Sequence, residues 1–229
     1  MLNGYGAVIL EGTWLTLQLA LSSMALAIVL GLLGVAIRLS PLRWLAWLGD
    51  LYSTVVRGIP DLVLILLIFY GGQDLINRIA PLLGFDDYID LDPMASGIFT
   101  LGFIFGAYLS ETFRGAFMGI PKGQAEAGMA YGMSRFQVFW RIQVPQMIRL
   151  AIPGFTNNWL VLTKATALIS VVGLQDMMFK AKQAADATRE PFTFYLAVAA
   201  LYLLITSVSM LALRWLEKRY TVGVRAAEL

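Results

Sequence analysis

The chain has 229 residues, of which 59% are hydrophobic and 14% charged, with a mean hydropathy of +0.71; such a balance cannot clothe a soluble domain of this size in polar surface. It contains no His and no Cys, which removes Ser-His and Cys-His nucleophile pairs, His- or Cys-ligated metal, iron-sulfur clusters and disulfide scaffolds. The net charge of +2 comes without a polybasic block, so no nucleic acid is expected as a partner, and the chain reads as a resident of the lipid bilayer.

A transmembrane helix needs about 20 mainly apolar residues. Five stretches qualify, near 10–37, 62–79, 95–117, 147–173 and 193–215. The first has no basic segment before it and no small-residue cleavage pattern after it, so it is expected to remain as a span. Along it Thr13, Thr16, Ala20, Ser23, Ala27, Gly31 and Gly34 recur at steps of three and four, and the third stretch repeats the device with Gly102, Gly106 and Ser110. Such ladders let helix backbones approach closely, either inside one bundle, the simpler reading, or at a subunit interface. With the N-terminus outside, the inner segments collect Arg38, Arg43, Arg57, Arg114, Lys122, Arg135, Arg141, Arg149, Arg214, Lys218, Arg219 and Arg225. The outer ones hold Arg78, Lys180, Lys182 and Arg189. The positive-inside rule then predicts an external N-terminus and a cytoplasmic C-terminus. No repeat or long soluble segment interrupts the pattern, so residues 1–229 are read as a single all-α, polytopic membrane domain.

Ionisable groups at membrane depth are expensive and usually face a bundle interior or a wet cavity. Lys164 lies in the fourth span, where Asn157, Val161 and Lys164 share a helical face. Two readings stay open for it: pairing with a carboxylate such as Glu111, or lining a solute path. In the third span Glu111 and Arg114 stand three apart and are placed to pair. The second stretch begins abruptly at Arg57-Gly58-Ile59-Pro60-Asp61, where Pro60 breaks or starts a helix. Asp61 is read either as a first-turn carboxylate favoured by the helix dipole or as a group met by a cationic solute. The run Asp86-Asp87-Tyr88-Ile89-Asp90-Leu91-Asp92 lacks the Gly and Glu of a calcium loop and reads as a solvated outer loop, with no metal site expected.

Residues 118–145 are too polar to span yet favour helix. Pro121 suits a first turn, the Ala-rich stretch continues to Tyr131, and Gly132 interrupts it, which predicts a short helix, a turn and a second helix. Such a segment either plugs into a cytoplasmic partner as a lever or lies on the headgroups.

Glu126-Ala127-Gly128, three residues, Gly132, nine residues, Ile142, two residues and Pro145 resemble the EAA signature of bacterial ABC importer permeases. Gly128 stands where that pattern prefers Ala. The resemblance extends along the chain through 57–60, 107–117, 121–124, Asn157-Asn158 and Leu162-Thr163-Lys164 to the polar amino acid permease family. Asp61-Leu62-Val63-Leu64 and the ending from Glu217 to Val224 are most like the HisQ-type subunits of histidine and lysine/arginine/ornithine importers. The resemblance implies a MetI-like bundle of about five spans with a cytoplasmic coupling helix formed by Glu126, Ala127, Gly128, Gly132, Ile142 and Pro145. It implies a homologous HisM-type permease, two ATPase subunits carrying ATP and Mg, and a periplasmic amino-acid-binding protein as partners. Basic amino acids are the implied cargo, with Asp61 and Glu111 as candidate solute contacts and Arg57, Asn157 and Lys164 along the pathway. Where relatives often read Lys-Asp-Thr-Ser, this chain has Lys164-Ala165-Thr166-Ala167 and lacks the carboxylate of that pattern. No phosphate loop of the form G-x-x-x-x-G-K-[ST] occurs, so ATP is expected on the partner and not here. An ion-gradient-driven amino acid transporter is the alternative; a membrane-embedded enzyme is disfavoured by the missing nucleophile–base pairs.

Overall fold

The computed structural model describes residues 4–85 and 87–220, and every regular element among them is helical. Asp86 of the acidic run and residues 221–229, which include 221–224 of the C-terminal likeness and Arg225 of the charge count, lie outside the described residues. The helices are α1 (Gly6–Arg38), α2 (Arg43–Gly58), α3 (Asp61–Ile79), α4 (Pro93–Met118), α5 (Lys122–Ala130), α6 (Arg135–Val138), α7 (Val144–Ala165), α8 (Met177–Thr188) and α9 (Pro191–Tyr220). A 3-10 turn, Ala80–Leu83, prolongs α3, a π-helical turn, Phe139–Gln143, joins α6 to α7, and a 3-10 stretch, Thr166–Val172, prolongs α7. Among the described residues α1, α3 with its extension, α4 and α9 are each long and apolar enough to cross a bilayer. A fifth crossing is available if Arg135–Val172 and α8, bent by 55° at the intervening break, are taken as one.

The centre of the bundle is the pair α1 and α4. Of the small stripe, Thr16, Ala20, Ser23, Ala27, Gly31 and Gly34 are buried and Thr13 is half-buried, so the stripe serves packing inside one chain. The contacts run in register: Leu26 covers Gly102, Leu30 covers Gly106, Leu109 covers Gly31 and Ser110 covers Gly34. The two helices are therefore parallel, which requires a crossing between them, and α3 supplies it. On the other flank of α4, Leu150 meets Gly119, Thr112 meets Gly154 and Ile169 meets Gly97, so α7 runs antiparallel to α4. The outermost helix is α9, with Phe194 and Val198 as its buried residues and Leu196, Leu203, Leu204, Val208 and Leu211 exposed as a lipid-facing surface requires. It is tied in at one end by Ile9, Met177, Ala181 and Ala185, and further along by Tyr202, whose hydroxyl lies 3.3 Å from that of Thr166.

Two helices have no counterpart in the sequence reading. Sixteen residues form α2, too few to span. It folds because Gly49, Ser53 and Val56 pack inward while Trp44, Trp47, Leu48, Leu51 and Val55 make an outward apolar stripe. The α8 helix is short and has little apolar run; it starts where the Asp176 side chain accepts a hydrogen bond from the Phe179 amide at 2.9 Å. The helix expected at the end of 118–145 is not separate, since α6 passes through the π turn into α7 and Pro145 sits in the first turn of α7.

At the end of the bundle opposite Arg38, the acidic loop is ordered by two amides on α3. The Asn77 side chain donates to the Ile89 carbonyl at 2.9 Å and accepts from its amide at 2.8 Å, while Gln73 accepts from the Leu91 amide at 2.9 Å and donates to the Ile89 carbonyl. Asp92 closes the loop by accepting from the Ala95 amide at 2.7 Å, which caps α4.

A Cβ on residue 34 would stand 2.7 Å from Ser110 Oγ and 2.9 Å from its Cβ. Gly34→Val is expected to force α1 off α4 and to destabilise the chain by about 1–3 kcal/mol, read as earlier thermal unfolding in detergent; an unchanged melting curve would refute this packing.

Candidate functional site

Glu111, on α4, gathers three guanidinium groups from three helices. Arg38 at the end of α1 reaches its Oε2 at 2.7 Å, Arg114 one turn along α4 reaches Oε1 at 2.6 Å, and Arg57 at the end of α2 stands 3.5 Å from Oε2. Arg38 also holds Asp50 of α2 at 2.7 Å. Three arginines against two carboxylates leave this knot one positive charge in excess. Its members differ in access: the Arg38 side chain is 7% exposed, Glu111 29% and Arg57 41%. Arg38 is thus a buried tie between α1, α2 and α4, and Arg57 is the loosest and most accessible of the three cations. Its guanidinium also lies 5.9 Å from the centre of the Tyr108 ring, a distance at which the ring face attracts a cation.

Beside the knot opens a cleft of about 510 Å³ between α4 and α7, within the range of small-molecule sites. Arg57, Tyr108, Glu111, Thr112, Asn157 and Asn158 supply its polar lining. Asn158 fixes one wall by donating to Thr112 Oγ1 and to the Gly154 carbonyl, both at 2.9 Å. Thr112 in turn donates to the Tyr108 carbonyl at 3.1 Å. Gly154 permits this approach, because a Cβ there would lie 2.6 Å from Thr112 Cγ2. With these partners the Asn158 amide is largely committed, whereas Asn157 is exposed.

The cleft brings together Arg57, Glu111 and Asn157 of the residues singled out by sequence. Asp61 is not on its lining; it begins α3, and its side chain makes no capping hydrogen bond. Lys164 is not on it either, and the pairing with Glu111 is absent, because Arg38, Arg57 and Arg114 already occupy that carboxylate. Tyr108, Thr112 and Asn158 were not singled out for the site. Their sequence signal was adjacency: Thr112 follows Glu111, Asn158 follows Asn157, and Tyr108 stands one turn before Thr112.

The segment between α4 and α7 forms a hooked surface at the same end of the bundle as Arg38. Glu126 and Ala127 of α5 are exposed and Gly128 is buried. A Cβ on Gly128 would lie 2.7 Å from Ile142 Cδ1 and 3.0 Å from Val138 Cγ2, so the glycine that departs from the EAA pattern lets α5 settle onto the π turn. Gly132 takes φ +84°, and the Tyr131, Gly132 and Met133 amides reach back to the Ala127, Met129 and Gly128 carbonyls, which ends α5. A capping box between Ser134 and Gln137 then starts α6. Around this hook Tyr131 is 91% and Phe136 72% exposed, with Trp140 beside Phe136 at a ring separation of 6.2 Å. Large aromatic groups so displayed mark a contact surface.

Residues 12–222 match the family described as the binding-protein-dependent transport system inner membrane component. The chain belongs to this family. It is 50% identical over 229 residues, the whole of both chains, to the histidine/lysine/arginine/ornithine transport system permease protein HisQ of Escherichia coli (strain K12). To the octopine transport system permease protein OccQ of Rhizobium meliloti it is 40% identical over 223 residues, with 97% of this chain and 94% of that one covered. Among solved structures, an amino acid ABC transporter with histidines aligns at a TM-score of 0.81 and 26% identity, covering 94% of this chain and 95% of that one. The chain is a permease subunit of an ABC importer, a multi-pass protein of the inner membrane that works with other ABC components. It is a transport component and not an enzyme, and a gradient-driven carrier is not favoured.

Glu111→Gln keeps the shape of the knot and removes its charge, leaving the buried Arg38 with Asp50 alone. A loss of about 1–3 kcal/mol is expected, below the full cost of breaking a buried pair because Glu111 is partly exposed; detergent unfolding midpoints check it. Gly132→Val should unwind the end of α5 at a cost of about 1–2 kcal/mol, detected as faster proteolysis between Ala127 and Ser134.

Proposed function

We propose that this permease subunit carries basic amino acids, namely histidine, arginine, lysine and ornithine, through the cleft beside Arg57 and Glu111. The observation that carries the reading is that the cleft sets an accessible cation, Arg57, against the partly exposed carboxylate of Glu111 in a volume suited to a small solute. Arg57, held most loosely, swings from Glu111 to the solute carboxylate and leaves Glu111 to the solute cation, Asn157 supplies a neutral amide, and Asp61, off the lining at the start of α3, meets the cationic group on its approach. The names of the relatives support this substrate class: HisQ belongs to a histidine/lysine/arginine/ornithine system and OccQ to an octopine system.

The N-terminus is assigned to the periplasm and the C-terminus to the cytoplasm, on the excess of Lys and Arg in the segments at the Arg38 end. In that orientation α5 projects into the cytoplasm, where its exposed Glu126 face and the aromatic groups around Tyr131 dock on a dimer of ATPase subunits that bind ATP and Mg. A HisM-type homologous permease completes the pathway, and a periplasmic amino-acid-binding protein delivers solute at the opposite end. ATP binding closes the ATPase pair and pulls α5; because α5 rests on the π turn leading into α7, the pull reaches the wall of the cleft. Two states, each favoured by a different ligand, give alternating access.

Glu126→Lys is expected to abolish ATP-driven uptake in proteoliposomes holding the full complex while leaving the chain in the membrane; normal uptake would remove α5 from the coupling role. Asp61→Asn should lower arginine uptake about fivefold, equivalent to ~1 kcal/mol for a partly solvated charge pair, with a smaller effect on a neutral amino acid. Equal loss for both solutes would exclude a charge contact.

A further inference from the structure

The α2 helix divides its surface into three lengthwise faces. Gly49, Ser53 and Val56 turn to the bundle, where a Cβ on Gly49 would lie 2.5 Å from Arg38 Cγ and the neighbouring Tyr52 hydroxyl donates to the Phe103 carbonyl at 2.6 Å. Trp44, Trp47, Leu48, Leu51 and Val55, at steps of three, one, three and four, make the second face, with both tryptophans 62% exposed. Arg43, Asp50, Thr54 and Arg57, at steps of seven, four and three, make the third, and all four are exposed. A helix deep in hydrocarbon would not carry the third face, and one on a water-covered surface would not show the second. An apolar face with tryptophans beside a polar face with arginines suits the boundary between acyl chains and headgroups.

The level of α2 fits that boundary. Glu111 lies 18 residues beyond Pro93, about 27 Å along α4, against ~30 Å for the hydrocarbon of a bilayer. The charge knot therefore stands at one edge of the hydrocarbon. The α2 helix begins after a four-residue link from α1, and its last turn brings Arg57 to the Glu111 that Arg38 holds, so it stays at the knot's end of the bundle.

We propose that α2 is an in-plane membrane anchor, lying in the headgroup layer at the Arg38 end with its face from Trp44 to Val55 set among lipid acyl chains and Arg43 turned to anionic headgroups. Lipid suits that face better than a second helix. None of its five residues is small enough to let a backbone approach closely, whereas the α1–α4 contact is built on glycines. The exposed cation at its first turn complements an anionic leaflet. Arg57 hangs from the last turn of this anchor, so the bilayer fixes the height of the loosest cation on the cleft. The inference needs only residence in the membrane and goes beyond the solute assignment.

The chain has no cysteine, so a nitroxide can be attached to one thiol at a time in Arg43→Cys, Leu48→Cys, Leu51→Cys, Thr54→Cys and Val55→Cys. In the full complex with cysteine-free partners, reconstituted in vesicles of phosphatidylethanolamine and phosphatidylglycerol, labels at 48, 51 and 55 are expected to collide with oxygen roughly fivefold more than with a water-soluble nickel chelate, and labels at 43 and 54 to show the reverse. The fluorescence of Trp44 and Trp47, taken as wild type minus W44F/W47F, is expected to be quenched about twofold more by lipids brominated near the headgroup than by lipids brominated near the chain end. A steady fall in nickel access from 43 to 55, whichever face the label occupies, would make α2 part of a span and overturn the proposal. Poor access of both reagents at 48, 51 and 55 would give the apolar face to a protein chain, and high nickel access there would give it to water; either result overturns the anchor. Stronger quenching from the chain end would also overturn it.

Discussion

Inside a bilayer there is little hydrophobic gain in bringing two helices together, because lipid tails are as apolar as leucine, so association depends on how closely the backbones can approach. In this chain that constraint falls on α1 and α4. Gly31 and Gly34 on one helix and Gly102 and Gly106 on the other receive Leu109, Ser110, Leu26 and Leu30 where any Cβ would collide. The parallel pair this creates sets the remaining topology: α3 has to return the chain between them, and α7 takes the free flank of α4. One wall of the cleft is fixed where α7 is tied to α4 by the Asn158–Thr112 hydrogen bond, an approach that Gly154 permits.

The charge knot works on a different principle. Breaking up a set of charges at partial burial is costly because each removal leaves an opposite charge uncompensated. Glu111 is the point where α1, α2 and α4 share one such charge, so the ends of three helices cannot separate without exposing an unpaired arginine. Arg38 and Arg114 hold it at 2.7 and 2.6 Å, and Arg57 at 3.5 Å. A knot built with two short members and one long one can lend the long one to a solute and keep its structural tie.

Much of this was legible in the sequence. The small stripe on the first span and the Glu111–Arg114 pair three residues apart rest on local periodicity, which survives folding, the break at Pro60 rests on a missing amide hydrogen, and the Glu126–Gly132 spacing was read by resemblance. What the sequence concealed depends on partners distant along the chain. Glu111 looks like a lone carboxylate until α1 and α2 bring Arg38 and Arg57 to it. Lys164 looks like its natural mate until the register of α4 against α7 sets Gly154 and Asn158, not residue 164, opposite Thr112. The α2 helix escaped notice because it is short and its inward face consists of Gly49, Ser53 and Val56, small or polar residues that carry no hydrophobic signal. Likewise α8 depends on an Asp176 cap and on contacts with α1 and α9.

The α7 helix joins these features into one mechanical element. Its approach begins at the π turn on which Gly128 rests, its first turn contains Pro145, and Asn157 and Asn158 stand on the cleft. Pro153 lies between these regions; lacking an amide hydrogen, it leaves the Arg149 carbonyl without its helical donor and makes this the point where α7 bends most readily. A displacement imposed at α5 is therefore passed along a stiff segment to a weak point one turn from Asn157. On the far side of that point Thr166–Val172 winds more tightly as a 3-10 stretch and ends at Gly173 with φ +95° before α8 turns away. A helix anchored by tight packing at both ends and weakened beside the cleft can open that cleft without disturbing the α1–α4 core, which is the division of labour that a subunit shuttling solute between two faces requires.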